Sequence, residues 1–256
     1  MRHLFSPLGH QSLSSVMQLK PLLAFDFDGT LAPIVPRPDD AKVSISIANK
    51  LAQLAERLPV AIVTGRSIAD VQPRLGFEPA FIIGNHGAED PFDAALDTDR
   101  LTHIEQLNWL RHKVSLESYR LQAAGVSVED KLHSIAIHYR LAKDRDAARA
   151  TIESFLQGMP LGLHIFGGKC VVNVVSEAAP DKGKAVQHLL QRTGRDAAVF
   201  MGDDLNDEAV FAIAPTHWLT VRIGRENPAS KAQFFLDSHA EVATMLQQLL
   251  DAAPSA

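Results

Sequence analysis

Asp26 and Asp28 stand two positions apart directly after the short apolar run Leu22–Phe25, within the segment Asp26-Phe27-Asp28-Gly29-Thr30. In an extended strand, residues two apart project on the same face, so the two carboxylates look at one spot. Like charges that close oppose each other's ionisation unless a cation joins them. Magnesium suits the position, because it takes oxygen ligands from a few carboxylates and substrate phosphate. One carboxylate could then attack phosphorus to form an acyl phosphate, while the other protonates the leaving alcohol and later activates water. We assign attack to Asp26 and proton transfer to Asp28. Gly29 permits a sharp exit from the strand, and Thr30 can bond locally and leave backbone N–H groups for phosphate oxygens. An isolated Asp-Gly reads as an ordinary turn, whereas Asp-Phe-Asp-Gly-Thr-Leu after apolar residues is far more specific.

Other polar clusters end apolar runs in the same way. Thr64-Gly65-Arg66 follows Val60–Val63, where the Thr64 hydroxyl can donate to a phosphoryl oxygen and Gly65 allows close backbone approach. Alone, such a tripeptide is a strand-ending turn. Gly84-Asn85-His86-Gly87 follows Phe81–Ile83, and Gly202-Asp203-Asp204-Leu205-Asn206-Asp207 follows the run 197–201. Asp203, Asp204 and Asp207 form an acidic group suited to the remaining sites of a metal, with spacing that does not fit a calcium loop. Lys182 opens a helix after Pro180-Asp181, where its ammonium could stabilise the nucleophile and the phosphoryl charge. A surface lysine is the bland alternative, and it is the reading we give Lys184.

These residues need a scaffold that collects strand tips at one edge. Between the first two strands, Ile47, Leu51, Leu54, Ala55 and Leu58 recur at helical spacing, making a strand–helix–strand unit and hence a parallel sheet. In such sheets ligands gather at the carboxyl ends of the strands. The middle third differs: a helical pattern over residues 100–121, an alternating segment 134–139, a helix over 144–156 and two strands flanking Gly167-Gly168. We expect a core of residues 20–88 and 177–256, an inserted α/β cap of residues 89–176, and a disordered lead-in of residues 1–19.

Composition narrows the function classes. With 256 residues, 46% hydrophobic and 21% charged, the chain reads as ordinary globular protein. A formal charge of -5 without runs of like charge argues against nucleic acid or an anionic membrane as partner. No apolar stretch approaches the ~20 residues that span a bilayer. A single cysteine, Cys170, excludes an intrachain disulfide and suits a reducing cytoplasm. No obligate protein partner is evident, and neither a serine-hydrolase elbow, a P-loop nor a zinc-protease helix is present.

Taken in order, Asp26-Phe27-Asp28-Gly29-Thr30, Thr64-Gly65-Arg66, Asp181-Lys182-Gly183-Lys184 and Gly202-Asp203-Asp204-Leu205-Asn206-Asp207 resemble the four motifs of the haloacid dehalogenase superfamily. Gly84-Asn85-His86-Gly87-Ala88-Glu89, Glu129-Asp130-Lys131 with His138-Tyr139-Arg140, and Gly168-Lys169 resemble the trehalose-6-phosphate phosphatase family within it. The resemblance implies an α/β fold with a Rossmann-like parallel-sheet core and an inserted cap, and magnesium-dependent hydrolysis of a small-molecule sugar phosphate. It implies Asp26 as nucleophile, Asp28 as acid/base, Thr64 and Lys182 as phosphate ligands, and Asp26, Asp28 through its carbonyl, and Asp203 as metal ligands, to which the acidic cluster adds Asp207. On the substrate side it implies Glu89, Glu129, Lys131, Arg140 and Lys169, to which we add Gly65, Arg66, His86 and Asn173 as candidates. Asn173 departs from the family, which usually carries glutamate four residues beyond that lysine. Two alternatives stay open: another capped sugar-phosphate phosphatase, and a catalytically silent sugar-phosphate sensor.

Overall fold

The computed structural model describes residues 1–92, 102, 104–168, 170–225 and 227–254. It divides into two compact units, Met1–Gly87 with Pro180–Ala256, and Ala88–Ala179. The breaks expected from sequence fall after residues 88 and 176.

The first unit begins with β1 (Arg2–His3), α1 (Pro7–Gln18), β2 (Leu22–Phe25), α2 (Ile45–Ala55), β3 (Val60–Val63), α3 (Ile68–Val71) and β4 (Phe81–Ile83). The second unit holds α4 (Asn108–Ala123), β5 (Ser127–Asp130), β6 (Ser134–His138), α5 (Arg145–Phe155), β7 (Leu163–Gly168) and β8 (Val171–Ser176). The chain then returns to the first with α6 (Lys182–Thr193), β9 (Ala198–Gly202), α7 (Glu208–Ile213), β10 (Leu219–Ile223), β11 (Phe234–Leu236) and α8 (Val242–Ala252).

In the first unit a seven-stranded sheet runs β1-β11-β10-β9-β2-β3-β4. Its strand pairs are parallel. Every residue of β2, β3, β9 and β10 is buried, which is why β2, β3 and β9 read as apolar runs rather than alternating ones, while β10 buries Thr220 and Arg222 among its apolar residues. Helices α1 and α2 pack with α8, and α6 packs with α7. Local signals match: Ser44 caps α2 by accepting from the Ile47 N–H, Asp181 caps α6 by accepting from the Lys184 N–H, and Gly194 ends α6 in the left-handed conformation. The chain runs outward from β2 to β4 in one direction and from β9 to β11 in the other. The reversal therefore lies between β2 and β9, whose carboxyl ends carry Asp26 and Asp203.

The expectation of a disordered lead-in is wrong. Arg2 and His3 pair with Phe234 and Phe235 as an edge strand, and α1 buries Leu13, Val16 and Met17 in the main core beside Leu4. Ser6, Pro7 and Gly9, which break up the apolar pattern in sequence, are helix-starting features. Ser6 caps α1 by accepting from the Gly9 N–H, and Pro7 takes the first turn. Gly9 is required because a Cβ there would lie 1.9 Å from the Leu4 carbonyl oxygen.

In the second unit an antiparallel sheet runs β5-β6-β8-β7. Ile135, Ile137, Leu163 and Val174 on one face join Leu110, Leu121, Ala148, Ile152 and Phe155 of α4 and α5 in a separate core. On the other face, Glu129 pairs with Ala136, Ala136 with Asn173, and Asn173 with Phe166, giving one cross-strand row. No helix among the described residues is long and apolar enough to cross a membrane.

Candidate active site

The tips of β9, β2 and β3 are sheet neighbours, and each delivers side chains to the carboxyl edge. Asp26 follows β2, with its N–H bonded to the Met201 carbonyl at 2.9 Å and only 4% of its surface exposed. Lys182, at the start of α6 and 1% exposed, donates to Asp26 Oδ1 at 2.8 Å and Asp207 Oδ1 at 2.7 Å. Asp207 is fully buried, and its Oδ2 accepts from the backbone N–H groups of Asp203 and Asp204, both at 2.9 Å. Carboxylate oxygens of Asp26, Asp203 and Asp207 lie within 4.8 Å of one another. Lys184 is exposed, as its bland reading requires.

Burial pushes the Asp26 carboxyl well above the usual carboxylate range, opposed by Lys182, and the neighbouring Asp207 and Asp203 push it further up. Burial alone would lower the Lys182 ammonium, but Asp207 and Asp26 outweigh it and hold Lys182 above the ordinary lysine value. Lys182 thus bonds two of three clustered buried carboxylates, an excess of negative charge that a divalent cation would balance. The donors are all hard oxygens, which fit magnesium. Space is reserved for them by absent side chains: a Cβ on Gly29, at φ 75°, would lie 2.1 Å from Asp203 Oδ2, and one on Gly202 would lie 2.3 Å from Asp207 Cγ. Asp207 belongs to this cluster, yet both its oxygens accept protein hydrogen bonds. It therefore anchors Lys182 and the loop as well as contributing charge.

Asp28 is placed differently. Its carboxylate is outside the cluster of three and is gripped by Arg66, with Nε donating to Oδ2 at 2.7 Å and Nη2 to Oδ1 at 2.8 Å. Arg66 also donates to Asp70 Oδ2 at 2.7 Å and the Pro38 carbonyl at 2.9 Å, and it lies over the Phe27 ring. Arg66, expected on the substrate side, is 8% exposed, and its Nε, Nη1 and Nη2 all donate to protein acceptors. Asp70, which sequence reasoning passed over, is shared with Arg74, whose Nη2 donates to Asp70 Oδ1 at 2.6 Å. Asp70 is held below the usual carboxylate range by Arg74 and Arg66, against the effect of burial.

Thr64 is fully buried, and its Oγ1 accepts the Arg66 N–H at 3.1 Å. The His86 ring packs against Gly65, where a Cβ would lie 2.3 Å from His86 Cε1. Asn85 and His86 both adopt left-handed backbone, φ 49° and 60°, and their N–H groups bond the carbonyls of Arg66 and Thr64, each at 2.9 Å. Two such non-glycine residues in succession hold strain at the tip of β4, which braces the β3 tip beside it.

The cap residues lie in the second unit. Glu129 Oε2 meets His138 Nε2 at 3.0 Å and Lys131 Nζ at 3.8 Å. Asn173 is 4% exposed, in the cross-strand row with Glu129. Arg140 lies just beyond β6, and Glu89 is half-buried near the start of the unit. Lys169 lies outside the described residues. Sequence reasoning also missed Arg222, whose signal was an arginine inside the short strand-forming run Leu219-Thr220-Val221-Arg222-Ile223.

The trehalose-phosphatase family pattern matches residues 24–240. A trehalose-phosphate phosphatase of Mycobacterium ulcerans is 30% identical over 239 residues, covering 90% of this chain and 61% of that protein. The chain thus spans about three fifths of the length of such curated relatives. Among solved structures, the C-terminal domain of Candida albicans trehalose-6-phosphate phosphatase superposes with a TM-score of 0.78 at 22% identity, covering 98% of each chain. A haloacid dehalogenase-like hydrolase from Bacteroides thetaiotaomicron gives 0.61 at 14% identity, covering 90% of this chain and 99% of that one. These likenesses establish the haloacid dehalogenase fold, and from the extent of the family match the chain belongs to the trehalose-phosphatase family.

Proposed function

We propose that the protein hydrolyses trehalose 6-phosphate to trehalose and phosphate through an aspartyl-phosphate on Asp26, with magnesium as cofactor. The observation that carries this reading is Lys182 bridging Asp26 and Asp207 beside Asp203, in a buried pocket of carboxylates at the topological switch point.

In the first half-reaction a carboxylate oxygen of Asp26 attacks phosphorus, the bond from phosphorus to the sugar oxygen breaks, and Asp28 gives that oxygen a proton. In the second, water attacks phosphorus, Asp28 takes its proton, and the Asp26 carboxylate is released with inorganic phosphate. Lys182 steadies the nucleophile and the phosphoryl oxygens. Asp26 and Asp203 would hold magnesium, which when bound offsets the clustered negative charge and stabilises that of the phosphoryl group. Both Asp28 oxygens are engaged by Arg66, so proton transfer requires one of them to leave the arginine.

For the sugar, the family resemblance points to Glu89, Glu129, Lys131, Arg140 and Lys169, and to these we add His86 and Asn173. A cytoplasmic setting and a small-molecule partner accord with the single cysteine and the mild net charge. Asn173 favours a second reading, a related capped phosphatase with another sugar phosphate as substrate. Phosphate release with magnesium from trehalose, sucrose and glucose 6-phosphates decides between them. Fastest release from the trehalose ester supports the first reading, a preference for another ester the second, and no release from any sinks both.

A further inference from the structure

Besides Lys182 and Arg66, the first unit contains a buried cation that the chemistry above leaves unused. Arg222 lies in β10 level with Gly202, the last residue of β9, and is 4% exposed. A guanidinium in a buried strand persists only where acceptors replace its water. Its acceptors lie on the segment following β9. Nη2 donates to the Asp203 carbonyl at 2.8 Å, and Nη1 donates to the Asp204 carbonyl at 3.3 Å and to Glu208 Oε1 at 3.2 Å. Glu208 is itself fixed, because its Oε2 accepts the Lys231 N–H at 2.9 Å.

The same segment is held from its other side by Asp207, whose Oδ2 accepts the N–H groups of Asp203 and Asp204. The backbone of Asp203 is therefore pinned at both ends, its N–H by Asp207 and its carbonyl by Arg222. With the backbone so held, the χ angles of Asp203 set where its carboxylate lies, and Gly29 leaves room for one of its oxygens. A carboxylate that is to meet a small, geometrically demanding cation has to be aimed in advance.

We infer that Arg222 is a positioning residue for the metal site: by fixing the Asp203 and Asp204 carbonyls it aims the Asp203 carboxylate and so raises the affinity for magnesium. The inference rests on the magnesium requirement proposed above. Its own positive charge acts in the opposite sense, since a cation near a cation site repels the ion. The two effects separate by substitution. Arg222→Lys keeps the charge but replaces the planar fork, whose two nitrogens divide the acceptors, with one ammonium nitrogen, whereas Arg222→Met removes both charge and fork.

The test is magnesium binding to the full chain by calorimetry without sugar phosphate, with manganese binding by electron paramagnetic resonance as a second readout. Both variants are expected to bind magnesium roughly tenfold or more weakly, with turnover at saturating magnesium close to wild type. Unchanged affinity in both variants overturns the inference. So does tighter binding by Arg222→Met with Arg222→Lys unchanged, which would make repulsion the ruling effect. If Arg222→Met does not fold, Arg222→Lys alone decides. A wild type that binds magnesium but hydrolyses no trehalose 6-phosphate defeats the proposed substrate and leaves Arg222 standing. A wild type that binds no magnesium defeats both.

Discussion

Lys182 in the first unit and Glu129 in the second are both charged groups expected to meet substrate, but their settings differ. The Lys182 side chain is 1% exposed and bonded to two carboxylates, one of which is itself tied to two backbone N–H groups. The Glu129 side chain is 53% exposed and meets one histidine and one lysine on the face of the cap sheet turned from its core. Moving Lys182 therefore leaves charges stranded in a low-dielectric interior, whereas moving Glu129 leaves groups that water can serve. The contrast assigns the two units different tolerances: little change at the phosphoryl centre, and wide variation on the cap face that we propose reads the sugar.

That contrast can be broken in several ways. The largest effect is expected for Asp26→Asn, which removes the nucleophile and should lower turnover on the order of a thousandfold or more. Substantial multiple turnover by that variant, or labelled phosphate mapped to another residue, would remove Asp26 from its role. Lys182→Met should lose turnover and also destabilise the fold, because a buried pair broken on one side costs about 3–5 kcal/mol. Denaturant melts measure this, and a loss no larger than that of Glu129→Gln would end the proposed distinction between the units.

Leu13→Ala tests whether the N-terminal helix shares the main core. It should cost about 2–5 kcal/mol, where a segment without fixed structure would cost nothing. On the cap face, Glu129→Gln should raise the Michaelis constant for trehalose 6-phosphate with little loss of turnover, since uniform binding sets that constant. The smallest effect is expected for Asn173→Glu. A charged acceptor contributes about 1.5–3 kcal/mol against about 0.5–1.5 for a neutral one, so the Michaelis constant should fall, reduced by the cost of placing a charge at a position only 4% exposed. A reversal of substrate ranking by this change alone would mark Asn173 as the determinant of a different sugar.

Sequence alone determined the parallel sheet, the inserted cap and the grouping of Asp26, Lys182, Asp203 and Asp207, because each depends on local signals: apolar runs of strand length, helical spacing and polar residues at strand tips. It misread residues 1–19, where the decisive facts are a pairing with Phe234 and Phe235 more than two hundred positions away and a glycine that admits the Leu4 carbonyl. It could not choose partners for charged residues either. Arg66 lies next to Thr64 and Gly65 in the chain, yet it spends its fork on Asp28, Asp70 and the Pro38 carbonyl. Arg222 belongs to a strand that the sequence analysis did not single out, and its acceptors lie 14 to 19 positions away. Periodicity reports which face of an element is buried. Where a long cationic side chain finds its acceptors depends on which strand tips the topology brings side by side, and only the tertiary structure decides that.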